Sequence, residues 1–140
     1  MKIYEIEKAA SEENIGELSF FTEKALADLG LHEDERQKFM MAVDEAVTNI
    51  IMYAYGAKAG NIKILVSENG DEISVELIDS GREFDPTKQP EPDFDIPVED
   101  RPPGGMGLPL IRGFANSLKY FRKNSHNHFI LTKKIGGQDG

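Results

Sequence analysis

The chain has 140 residues, 39% of them hydrophobic and 29% charged, with 16 basic against 25 acidic side chains and a net charge of -9. That size predicts one globular domain over 1–140, able to bury roughly two-thirds of its unfolded surface. The acidic balance argues against a direct nucleic-acid partner, which needs a basic surface, and the absence of cysteine excludes disulfides, thiolate catalysis and cysteine-based zinc sites.

The amino terminus has no apolar core of signal-peptide type, and no apolar run approaches a membrane span. The expectation is a cytoplasmic protein. Lys2 to Lys8 alternates, which predicts an edge strand. Ser11 with Glu12 and Glu13 predicts a helix start, a capping hydroxyl followed by acids at the positive end of the dipole. Ile15, Leu18, Phe21, Ala25 and Leu29 carry that helix to Gly30.

A second helix is expected from Glu33 or Asp34 to Tyr55. Its core, Phe39 to Tyr55, reads FMMAVDEAVTNIIMYAY. Phe39, Val43, Ala46, Val47, Ile50 and Ala54 draw one apolar face. Glu45 and Asn49 lie four apart, on one side of the helix at the edge of that face. Glu45 can accept a proton, and the Asn49 amide oxygen is a hard ligand suited to magnesium.

A hairpin follows. Ile62, Ile64 and Val66 alternate with polar residues, Asn69-Gly70 signals a tight turn, and Ile73, Val75 and Leu77 alternate again up to Asp79. From Arg82 to Pro103 six of the seven prolines fall together. A structureless stretch of that length inside a compact domain predicts a lid over 82–103. Gly104 to Gly107 then leads into a short helix, Leu108 to Phe114, with Pro109 in its first turn. Two closing strands are expected at about Ser117 to Lys123 and His128 to Ile135.

Three polar motifs stand in order: Glu45-Ala-Val-Thr-Asn49, Asp79-Ser-Gly81, and Gly104-Gly-Met-Gly107. An aspartate at a strand end can accept from the exocyclic amine of adenine, and Gly81 allows close approach to the backbone. Glycines opening a helix expose N–H groups that, with the dipole, favour phosphate. Taken singly, Asp-x-Gly is commonly a turn and Gly-x-Gly a tight connection. The spacing alone therefore makes a moderate case for a magnesium-nucleotide site. Arg101 and Arg112 are open to two readings, a γ-phosphate contact or a solvated charge. His32, His126 and His128 are too scattered to suggest a metal.

In that order the motifs resemble the asparagine box and the two glycine boxes of the GHKL ATPase superfamily. More closely, DEAVTN at Asp44 to Asn49, AYG at Ala54 to Gly56, FDP at Phe84, GGMGLPLIR at Gly104 to Arg112 and LTK at Leu131 to Lys133 resemble the bacterial anti-sigma-factor serine kinases. The resemblance implies a two-layer α/β sandwich, a mixed but mainly antiparallel sheet with helices on one face. It implies ATP and Mg2+ as cofactors, sequestration of a sigma factor, phosphorylation of a STAS-type antagonist, and a homodimer.

By the same resemblance Glu45 is the catalytic base and Asn49 the magnesium ligand. Asp79 and Gly81 bind adenine with support from Thr132, Tyr53 lies beside the nucleotide, and Gly105, Met106, Gly107 and Leu108 line the phosphates. Two positions depart from the family pattern. Glu83 stands where the broad superfamily has glycine, and Tyr53 where many relatives have histidine. The alternative function is an ATP-binding regulatory module that sequesters a partner without phosphotransfer. An isolated histidine-kinase catalytic domain fits less well, because the FDP and GGMGLPLIR matches point to the serine kinases.

Overall fold

The structure, a computed structural model, describes residues 2–56, 58–88, 111 and 113–135. The elements run β1 (Ile3–Ala9), a 3-10 turn (Glu12–Asn14), α1 (Ile15–Asp28), α2 (Glu33–Tyr53), β2 (Asn61–Asn69), β3 (Glu72–Asp79), a 3-10 turn (Pro86–Lys88), β4 (Ser117–Lys123) and β5 (His126–Lys134). Ile111, Gly113 and Phe114 are helical, within the short helix expected there. Most of the lid, the glycine motif at 104–107, Leu108, Arg101 and Arg112 lie outside the described residues.

The five strands form one sheet in the order β1-β2-β3-β5-β4. Every pairing between them is antiparallel. The alternation seen in the sequence becomes the two faces of this sheet. Ile62, Ile64, Val66, Ile73, Val75, Leu77, Phe129 and Leu131 are buried on one face. Onto them pack Leu18, Ala25 and Leu26 of α1 and Phe39, Val43, Ala46 and Val47 of α2. Each such Val, Leu, Ile or Phe side chain contributes about 1.5–3 kcal/mol by leaving water. Leu65, Ile78, Phe121 and Ile130 alternate to the opposite face, where His128 pairs with Glu76 at 2.6 Å and stacks on Phe121. This is the two-layer α/β sandwich, helices on one side.

The local signals hold with small shifts. Asn69 pairs with Glu72, so the hairpin loop is Gly70-Asp71, one residue later than the Asn69-Gly70 dipeptide suggests. Gly70 takes φ +68, the glycine-first turn that matches strand twist. The second hairpin turns on Asn124 (φ 52) and Ser125 (φ 66), so β5 begins two residues before the expected His128. Ser11 precedes the first helix in extended conformation, but its side chain makes no capping bond; a 3-10 turn comes first. Three acids occupy the first turn of α2, where the dipole favours them. One of them, Glu35, meets Lys133 of β5 at 2.7 Å, and that hydrogen bond holds the Glu35 carboxyl below its ordinary pKa.

Asp44 lies between the helices. Burial pushes its pKa up; a hydrogen bond with Ser19 of α1 works against this, while Glu23 and Glu45 add to the rise. A carboxyl whose folded pKa exceeds its unfolded value contributes most at low pH, and its contribution is lost as pH rises through the folded pKa. At pH 7 the raised pKa of Asp44 therefore works against the fold. Asp44→Asn keeps an oxygen for Ser19 and carries no charge. Urea denaturation should show the variant more stable than the wild type at pH 7. The gap should close toward about pH 3, below the ordinary aspartate pKa.

Candidate functional site

A cleft opens between the second half of α2 and the end of β3. Asn49, Ile50 and Tyr53 form its helical wall, Asp79, Asn127 and Phe129 its floor, and Arg82, Phe84 and Pro86 part of its rim. Ile111 and Tyr120 also line it. The helix supplies Asn49 and Tyr53 together because they stand one turn apart on one face.

Helix and strand are joined at the residues that follow each of them. The Arg82 N–H donates to the carbonyl of Ala54 at 3.0 Å, just past the end of α2. A Cβ on Gly81 would lie 2.3 Å from that same oxygen. Glycine is thus required at 81 because the helix end already fills the space a side chain would need. Tyr55 makes a second tie, accepting from the Ser80 N–H at 2.8 Å and donating to the Asn61 carbonyl.

Asp79 is 4% exposed, so its carboxylate depends on internal partners. Its Oδ1 accepts from the Gly81 N–H at 2.9 Å and from Asn127 Nδ2 at 3.0 Å. Asn127 is itself buried and sits directly opposite Asp79 in the β3–β5 ladder. Its Nδ2 also donates to the Arg82 carbonyl at 2.8 Å, and its Oδ1 accepts from Tyr120 and Arg122. The Tyr120 hydroxyl is pushed up in pKa, by burial first and by Glu83 second, so it keeps the proton it donates.

The structure thus brings Asn49, Tyr53, Asp79 and Gly81 together. Glu45 stands one turn before Asn49 on α2, half-buried. Thr132 is a correction. It pairs with Ser74, five rungs along the ladder from the Asp79–Asn127 rung, or about 17 Å at strand rise. Its hydroxyl bonds Ser117 instead. The residue that supports Asp79 is Asn127, missed because β5 was expected to start at His128. Counting back by twos from Leu131 and Phe129 puts Asn127 on the same face. Gly105, Met106, Gly107 and Leu108 lie outside the described residues. Glu83 is exposed and acts on Tyr120, at the Asp79 end of the cleft.

Comparison with known proteins agrees with this fold. Residues 9–133 match the histidine kinase-like ATPase domain family. The chain belongs to that family. It is 35% identical over 94 residues to the serine/threonine-protein kinase BtrW of Bordetella bronchiseptica, covering 66% of each chain. It is 30% identical over 111 residues to the serine-protein kinase RsbW of Bacillus cereus, covering 76% of this chain and 69% of that one. These relatives place it on the serine-kinase branch of the family. A crystal structure of RsbU and RsbW domains from Mycobacterium tuberculosis shares the fold, with TM-score 0.68 at 15% identity, over 96% of this chain and 33% of that one.

For a histidine kinase-like ATPase the cleft has a suitable donor set. Ile50, Ile111 and Phe129 offer apolar surface to a flat base, and Asp79 offers the acceptor that an exocyclic amine needs. Two variants test this assignment by calorimetry with ADP. Gly81→Ala should displace the Asp79 turn from Ala54 and weaken ADP by about tenfold or more, the size of a lost charge-assisted hydrogen bond. Thr132→Val should leave ADP affinity unchanged, whereas an equal loss there would return Thr132 to the site.

Proposed function

We propose that the chain is a cytoplasmic, magnesium- and ATP-dependent protein-serine kinase. In this reading it sequesters a sigma factor, phosphorylates a serine on a STAS-type antagonist, and works as a homodimer. The observation that carries the catalytic part is the placement of Asn49 and Asp79 in one cleft, with Glu45 one turn from Asn49 on the same helix.

Asp79 and Tyr53 would hold the base end, and Asn49 would supply an oxygen to a magnesium ion, whose charge would offset that of the phosphates. Among the described residues no group of three or more His, Asp or Glu is placed to hold a metal. A magnesium ion bound through one protein oxygen, phosphates and water is the usual pattern for that ion. ATP supplies the γ-phosphoryl group. The serine oxygen forms a bond to the γ-phosphorus, the bond to the bridging oxygen of ADP breaks, and the hydroxyl proton passes to the Glu45 carboxylate. Phosphoryl transfer depends mainly on positioning and charge stabilisation, which suits a site with so few chemical groups.

The test is transfer of labelled γ-phosphate to a STAS protein from the same cell. A general base contributes about 10²–10⁴ in rate. Glu45→Gln should lower transfer by that factor while ATP and partner binding survive. Full activity in Glu45→Gln would remove Glu45 from the role of base. Binding without any transfer by the wild type would favour the regulatory module instead. Asn49→Ala should abolish the magnesium dependence of ATP binding; a dependence equal to wild type would reject Asn49 as the ligand.

A further inference from the structure

We propose that Arg122, acting with Tyr120, is a positioning device that fixes the Asn127 amide and thereby sets the preference of Asp79 for adenine over guanine. This rests on the reading of the cleft as an ATP site.

The arrangement is a single line of residues across three strands. Asp79 of β3 pairs with Asn127 of β5, and Asn127 pairs with Arg122 of β4. From the edge strand the Arg122 side chain reaches back over this line. Its Nη1 donates to Asn127 Oδ1 at 2.9 Å and to the Gly81 carbonyl at 3.2 Å. The Tyr120 hydroxyl donates to the same Asn127 oxygen.

These partners leave the amide one orientation. A guanidinium only donates, so the amide oxygen must face Arg122. The Arg82 carbonyl only accepts, so the amide nitrogen must face Arg82, at 2.8 Å. That nitrogen then also donates to Asp79 Oδ1. Turning the amide over would set its N–H2 against the guanidinium and its oxygen against both the Asp79 carboxylate and the Arg82 carbonyl. Without Arg122 the amide oxygen keeps only the Tyr120 hydroxyl, which can donate or accept, so one of the three partners that oppose that turn is gone and the amide is held on its nitrogen side alone.

The consequence falls on the base. With two donors on Oδ1, from Gly81 and Asn127, the Asp79 carboxylate is fixed in direction and presents acceptor oxygens to the base. An adenine amine satisfies it, whereas the carbonyl that guanine carries at that position meets another acceptor. Discrimination of this kind needs the acceptor held still, because a carboxylate that can swing away no longer penalises the wrong base. Arg122 also grips the carbonyl of Gly81, so the same side chain steadies the turn that docks on Ala54.

The experiment uses the full chain with Arg122→Met, Arg122→Lys and Asp79→Asn. ADP and GDP affinities are measured by calorimetry, and exchange of the Gly81 and Arg82 amides is followed without nucleotide. Arg122→Met should weaken ADP about tenfold and shrink the ADP-over-GDP preference by a similar factor, with faster exchange at Gly81 and Arg82. Arg122→Lys keeps the charge but replaces the planar guanidinium with an ammonium on a shorter side chain, so it should fall between the Met variant and the wild type, and it serves if the Met variant does not fold. Equal losses for ADP and GDP, or a lowered melting temperature with the preference intact, overturn the proposal and leave Arg122 a structural residue. Asp79→Asn separates the two levels. If it leaves ADP affinity and preference unchanged, the ATP-site reading itself fails and the selectivity falls with it. If it abolishes the preference and Arg122→Met does not alter it, only the role of Arg122 is rejected.

Discussion

The site depends on the contact between the end of α2 and the turn that follows β3. A helix leaves its last carbonyls without intrahelical partners, and burying them unpaired is costly. Here the Ala54 carbonyl receives the Arg82 N–H, and the backbone at Gly81 comes close enough that no side chain fits between. One contact therefore satisfies a helix end and sets the distance from the helical wall to Asp79. Asn49 and Tyr53 ride on the helix, Asp79 on the strand, and neither wall can shift without breaking that hydrogen bond. Tyr55 reinforces the joint through Ser80.

Polar burial shows where the fold departs from a simple core. Thr22, Asp79 and Asn127 are the buried polar residues among those described. Thr22 answers its own helix, donating to the Leu18 carbonyl at 2.8 Å. The other two answer each other. A buried carboxylate with one amide beside it adds little to stability, since apolar residues of similar size would serve the core as well. Their placement makes sense as a fixed acceptor at the end of an apolar cleft. The chain is acidic overall, and its proposed ligand is an anion. At the base end this conflict is small, because recognition there rests on apolar faces and one hydrogen-bonding edge, away from the phosphate charge.

Much of this was legible in the sequence. The helical period of Phe39 to Ala54 gave α2 and the shared side of Glu45 and Asn49. Strict alternation gave β2 and β3, and Asp79 at a strand end gave the acceptor. Tertiary pairing was not legible, because alternation fixes the face of a residue but not its neighbour in the next strand. Thr132 carried a hydroxyl in a familiar triplet, so it drew the supporting role that register gives to Asn127. The turn Asn124-Ser125 carries no glycine to mark it, yet asparagine tolerates the left-handed region and the hairpin twist favours it. The role of Gly81 was half visible. Its sequence context promised close approach to the backbone, and what approaches in the structure is Ala54.

The last hairpin shows how far from the cleft its chemistry is decided. Residues 79 and 127 meet on one rung only because β5 starts where it does, and the start is set by the two left-handed residues of the turn before it. Side chains in a strand alternate with period two, so a slip of one residue would turn the whole face over. His126 or His128 would then stand opposite Asp79, and the apolar residues Phe129 and Leu131 would leave the core. Neither histidine has an amide that donates to a carboxylate and a carbonyl while accepting from an arginine. Burial of Phe129 and Leu131 opposes the slip energetically, and the turn geometry opposes it locally. The hydrophobic register that holds the sheet together is thus the same constraint that delivers Asn127 to Asp79.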